Sequence, residues 1–173
     1  YVRIPILFPG LSTYRFLEKV IDEIGRMYQD AGVELPAFHV GGDEVPEGIW
    51  EGSSVCRTFM KKHGLTKIRD LKDYFLGQIL EMFDKRNIQA VGWQDIVMNP
   101  DNTVNEHFRN SKVLNYCWNT IPEQGGDEVP YKLANAGYPI ILCNVGNFYL
   151  DMAYCYHVEE PGLRWGGYVD EYV

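Results

Sequence analysis

The sequence predicts a parallel α/β fold, and three observations carry that prediction. Helical and strand-like segments alternate as helix, strand, helix, strand, loop, strand, helix, strand. The strand-like runs are short, apolar and nearly non-alternating, as expected of strands covered on both faces. The residues of chemical character (Asp43 and Glu44, Trp93, Trp118, and Tyr149 with Asp151) each stand just after such a run. A (β/α)8 barrel builds its active site at those positions.

The elements follow in order. Ser12 to Asp30 reads as a helix: Ser12 suits an N-cap, and Leu17, Val20, Ile21, Ile24, Met27 and Tyr28 form an apolar stripe at helical spacing. Gly32 supplies the stop. LPAFHVGGDEV then reads as a buried strand, with Phe38 and Val40 flanking His39, that ends at paired glycines. A second helix runs from about Arg69 to Arg86, with Leu71, Phe75, Ile79, Met82 and Phe83 on its buried face. IQAVGW, KVLNYCW and YPIILCNV read as three further strands. Between the last two, EVPYKLANAG reads as a short helix with Pro130 in its first turn and Gly137 as its cap.

Four strands are too few for a closed barrel, which typically needs about 250 residues. The 173 residues, 46% hydrophobic, therefore predict one compact domain over 1–173 that is part of a barrel. The chain opens YVRIPILFPG without methionine, so residues are expected to precede it naturally.

Composition excludes several functions. Sixteen Lys and Arg against twenty-four Asp and Glu give a net charge of -8 with no basic cluster. That argues against nucleic acid or an anionic membrane surface as a partner. No apolar run approaches the roughly 20 residues of a membrane span. No glycine-rich phosphate loop occurs, and no cofactor is expected. Cys56, Cys117, Cys143 and Cys155 lack CxxC or zinc-finger spacing and read as structural thiols. Aromatic residues make up 14%, and many end apolar runs. Rings there suit the stacking of sugars and other flat ligands, or simply an aromatic-rich core.

The sharpest feature is HVGGDEV, His39 to Val45, in which two acids follow two glycines at a strand end. Glycines there let the backbone turn sharply. Two carboxylates in a partly dry pocket have their pKa values driven apart, leaving a general acid beside a standing anion. The plain alternative is a solvated acidic loop. Neighbours in sequence are poorly placed to flank a glycosidic bond about 5 Å apart as a retaining pair. A glycosidase built on them would take its nucleophile from elsewhere, the substrate included.

HVGGDE resembles the HxGGDE signature of the beta-N-acetylhexosaminidases, the family-twenty glycoside hydrolases. Downstream, VGWQDIV, NYCW, NFYLDM and EEPGLRWGGYV are similar to further family segments and occur in family order. The resemblance implies roughly the fourth to seventh β/α units of a TIM barrel, with the early strands and the last strand missing. It implies removal of terminal GlcNAc or GalNAc by substrate-assisted retaining catalysis, in which the 2-acetamido oxygen attacks the anomeric carbon and forms an oxazolinium ion. Glu44 would be the acid and then the base, Asp43 would hold the acetamido nitrogen, and Tyr149 would donate to the acetamido oxygen. Trp93 and Trp118 would wall the pocket, and Asp151 would bind sugar hydroxyls. His39 would position Asp43 or serve as a core histidine, and Trp165 would line a leaving-group subsite. The resemblance also implies a secreted, periplasmic or lysosomal setting.

Two departures follow. The family's early arginine and its supporting His/Asp pair have no match, and neither does its last-strand tryptophan. The isolated chain is therefore expected to be inactive, and the edges of an open half-barrel invite self-association. A metal-dependent hydrolase using His39, Asp43 and Glu44, and a sugar-binding or assembly fragment without chemistry, are the other readings.

Overall fold

The computed structural model describes residues 10–45, 48–109 and 111–167. Five α-helices are formed among them: α1 (Leu11–Asp30), α2 (Ser54–His63), α3 (Ile68–Asp84), α4 (Val129–Asn135) and α5 (Val145–Phe148). The four strands are β1 (Ala37–His39), β2 (Gln89–Trp93), β3 (Leu114–Cys117) and β4 (Ile140–Leu142), in the order β1-β2-β3-β4. No described helix is long and apolar enough to cross a membrane.

The chain divides into two compact units, Tyr1–Phe38 with Glu44–Ala90, and His39–Asp43 with Val91–Val173. In the first, α1 and α3 pack through stacked Tyr14 and Phe75 rings, 5.8 Å between centroids. Arg86 Nε donates to Asp22 at 2.7 Å, and that bond holds the Asp22 carboxyl below the usual carboxylate range. On α3, Leu71, Leu76, Ile79, Met82 and Phe83 are buried. Gly10, in extended backbone, caps α1 by accepting the N–H groups of Thr13 and Tyr14. The expected cap, Ser12, lies inside the first turn and is exposed. The stripe also ends early, since Met27 and Tyr28 are exposed.

Helix α2 was not expected. Ser53 caps it by accepting from the Cys56 N–H at 3.2 Å, and Gly64 ends it in left-handed backbone. Cys56 packs with Trp50 and Leu71 in a small core.

β2, β3 and β4 are parallel, as expected. Val91, Gly92 and Trp93 stand opposite Leu114, Asn115 and Tyr116, and Asn115 to Cys117 opposite Ile140 to Leu142. Asn115 is fully buried and donates to Val113 and Pro139 carbonyls. Val129 and Leu133 bury the inner side of α4. The expectation of strands covered on both faces fails at the margins, because His39 on β1 and Ile141 and Leu142 on β4 are exposed. Outer strands have a neighbour on one side only. Cys56 and Cys117 are buried thiols, whereas Cys155 is exposed.

Candidate active site

β1 runs out at His39, and the backbone turns at once. Gly41 and Gly42 take φ of +69° and +93°, a region open to glycine at little cost. A Cβ on Gly42 would collide with Cγ2 of Ile96, so only a bare backbone fits here. Asp43 follows, exposed, and Glu44 opens the next segment at φ +46°, also exposed. The described residues thus do not give the two acids a dry pocket, because both leave the sheet on this turn.

His39 lies edge-on to Trp93 (4.9 Å between centroids) and to Tyr116 (5.2 Å). Trp93 and Tyr116 meet edge-on at 6.0 Å. The Gly41 N–H donates to His39 Nδ1 at 3.1 Å, so that nitrogen is an acceptor and the neutral ring carries its proton on Nε2. Partial burial pushes the His39 pKa down, against the opposing pull of the Asp43 charge. Since the folded value lies below the ordinary one, the unfolded chain takes up the proton first as pH falls. The stability His39 contributes is whole above about pH 6.5 and is lost as pH drops through the folded value. His39→Gln is therefore expected to flatten the fall of Tm as pH drops below about 6.5, read by thermal melts at stepped pH.

A second aromatic group forms at the ends of β3 and β4. Trp118 follows β3, and its indole N–H donates to Asp95 Oδ2 at 2.8 Å. The backbone N–H groups of Trp118 and Asn119 both donate to Gln94 Oε1, at 3.0 and 3.3 Å. Gln94 is only 5% exposed, so this amide is committed to holding the strand end. The Trp118 carbonyl accepts the Val145 N–H, which anchors α5, and Tyr149 follows as α5 ends. Trp165 then meets Trp118 at 6.0 Å and Tyr149 at 5.8 Å, both edge-on. Asp151 is exposed, and its carbonyl accepts the Leu163 N–H at 2.7 Å. Tyr149 and Asp151, two apart, would share a face only on a continuing strand; α5 and a turn stand there instead.

The structure therefore groups His39 with Trp93, and Trp118 with Tyr149 and Trp165. Gln94, Asp95 and Tyr116 are supporting residues the sequence reading missed. Gln94 and Asp95 lie in the QD of VGWQDIV, which is where a signal existed. Trp118→Phe removes a hydrogen bond to a charged group, so unfolding stability should fall by about 1.5–3 kcal/mol. Denaturant melts would show this as a lower midpoint at unchanged slope. Among the described residues, no group of three or more His, Cys, Asp or Glu side chains is placed to hold a metal ion. The last residues of EEPGLRWGGYV, Tyr168 and Val169, lie outside the described residues.

Residues 5–172 match the catalytic domain of glycosyl hydrolase family 20. The chain is 30% identical over 164 residues to a beta-hexosaminidase of Vibrio furnissii, covering 94% of this chain and 24% of that protein. It is 26% identical over 185 residues to the N,N'-diacetylchitobiase of Vibrio harveyi, covering 89% of this chain and 20% of that protein. Its fold is similar to an exo-beta-N-acetylglucosaminidase from Vibrio harveyi solved with N-acetylglucosamine. The TM-score is 0.75 at 27% identity, over 95% of this chain and 23% of that one. The chain spans less than a quarter of the length of each, and its parallel α/β fold is part of a (β/α)8 barrel.

Proposed function

This chain belongs to glycosyl hydrolase family 20, and on that premise we propose that the protein containing it removes terminal beta-linked N-acetylhexosamine, GlcNAc or GalNAc, with retention of configuration. One observation carries the reading: His39 and Trp93 end β1 and β2, Val40 to Asp43 and Trp118 follow β1 and β3 directly, and Tyr149 follows β4 after the short helix α5. The carboxyl ends of the strands are where barrels of this kind build their sites.

The chemistry divides into two steps. First, the 2-acetamido oxygen attacks the anomeric carbon while Glu44 gives its proton to the departing oxygen. The glycosidic bond breaks and an oxazolinium ion remains. Then Glu44, now a carboxylate, takes a proton from water as the water attacks the same carbon and the ring reopens. Asp43 steadies the acetamido nitrogen as it gains positive charge. Tyr149 donates its hydroxyl to the acetamido oxygen and orients it for attack. Trp93 and Trp118 enclose the acetamido group and keep water from it. Asp151 binds sugar hydroxyls, His39 steadies Asp43, and Trp165 flanks the leaving group.

The protein containing this chain is expected to release p-nitrophenol from its N-acetyl-beta-glucosaminide but not from the beta-glucoside, which lacks the nucleophile. Equal rates on the two would overturn the reading. We further propose that the 173 residues alone are an incomplete barrel and turn over neither substrate. Wild-type turnover by the isolated chain would contradict that.

A further inference from the structure

The stretch after Tyr149 forms a loop closed at its neck. Met152 and Leu163 make an isolated parallel bridge, the Ala153 N–H donates to the Leu163 carbonyl at 2.9 Å, and the Leu163 N–H donates to Asp151 at 2.7 Å. Gly162, at φ +134°, lets the neck close, since a Cβ there would lie 2.6 Å from the Ala153 nitrogen. The outer turn has its own bonds: Glu160 N–H to the His157 carbonyl at 3.1 Å, and Tyr154 N–H to Glu160 Oε1 at 3.4 Å.

Arg164 ties this outer turn to the segment beyond the neck. Its guanidinium carbon stands 5.1 Å from the Tyr156 ring centroid, and its Nη2 donates to the His157 carbonyl at 3.0 Å. The next residue is Trp165, which packs on Trp118 and Tyr149 yet keeps 45% of its surface exposed. One flat cation is thus held at a ring face and at a carbonyl, immediately before an indole with an open side. Arginine suits both contacts at once, through its planar stacking surface and its fixed fork of donors.

We propose that Arg164 is a positioning residue for Trp165: its clamp on Tyr156 and His157 fixes the indole that receives a ring-shaped leaving group. This rests on the reading of Trp165 as flanking the leaving group in an N-acetylhexosaminidase. Arg164 touches no reacting atom. Without the clamp the indole remains, but ordering it is left to each binding event, and that cost falls on binding.

The test uses the full-length protein and two substrates: N,N'-diacetylchitobiose, whose leaving group is a sugar, and methyl N-acetyl-beta-glucosaminide, whose leaving group has no ring. Arg164→Ala and Tyr156→Leu should each raise KM for the disaccharide by about two- to fivefold, the size of an exposed cation–π contact. kcat and the methyl substrate should be unaffected. The double variant should be no worse than Arg164→Ala, because loss of the guanidinium already removes the contact with Tyr156. Arg164→Lys should fall between wild type and Arg164→Ala. Equal loss on both substrates, additive loss, or no loss on the disaccharide overturns the proposal. Hydrogen exchange over residues 152–167 reads the clamp without catalysis. Arg164→Ala should speed exchange at Leu163 and Gly167, and unchanged exchange overturns the clamp. A wild type that hydrolyses neither substrate overturns the enzymatic reading instead, and the leaving-group role with it.

Discussion

Glu44→Gln in the full-length protein should lower hydrolysis of N,N'-diacetylchitobiose by about 10²- to 10⁴-fold, the usual contribution of a general acid and base. The substitution keeps the side chain's size and removes only its transferable proton. The loss should depend on the leaving group. A sugar alkoxide cannot depart unprotonated, whereas p-nitrophenolate departs readily without help. The first step on the p-nitrophenyl substrate should therefore suffer far less, visible as a burst of p-nitrophenol ahead of a slow second step. Melting temperature should barely change, because Glu44 is exposed. An equal loss on both substrates would point to misfolding or to a different acid, and no loss would exclude Glu44.

The largest expected effect on stability belongs to Gly42→Ala. Two costs fall on one methyl group. The φ of +93° disfavours any residue with a Cβ, and the new atom collides with Ile96. Overpacking alone costs about 1–3 kcal/mol, and left-handed backbone about 1–2 kcal/mol. Ile96 cannot easily yield, being 1% exposed. Gly25→Ala is the control. It lies within α1 with nothing near its would-be Cβ, and should gain roughly 0.5–1 kcal/mol. Thermal or denaturant melts that moved both variants alike would remove the steric argument for the double glycine.

Much of this was legible in the residues because long amphipathic helices and apolar runs carry their own period. α1, α3, α4 and the four strands lie close to where the spacing puts them. α2 escaped because its apolar residues, Val55, Cys56, Phe59 and Met60, make a stripe barely longer than one turn. Ser53 and Gly64 bracket it and were the available signal. α5 has only four residues, too few for a period, so the stretch after YPIILCNV carried no helical signal. Ser12 lost its capping role because the Gly10 carbonyl, which no side-chain pattern advertises, does that work. In the site, the strand-end positions of Trp93 and Trp118 were readable. Their partners were not: the Trp118–Asp95 bond joins residues on two different strand ends. Trp165 reaches Tyr149 only because the Met152–Leu163 neck folds the chain back.

The most direct test of the central claim is kcat/KM on aryl N-acetyl-beta-glucosaminides whose acetyl group carries zero, one, two or three fluorines. Each fluorine withdraws electrons from the acetamido oxygen and makes it a poorer nucleophile. If that oxygen attacks the anomeric carbon, the rate falls steeply with every fluorine added. A rate indifferent to fluorination would mean that some other group attacks, and the account built on Asp43, Glu44 and Tyr149 would be wrong.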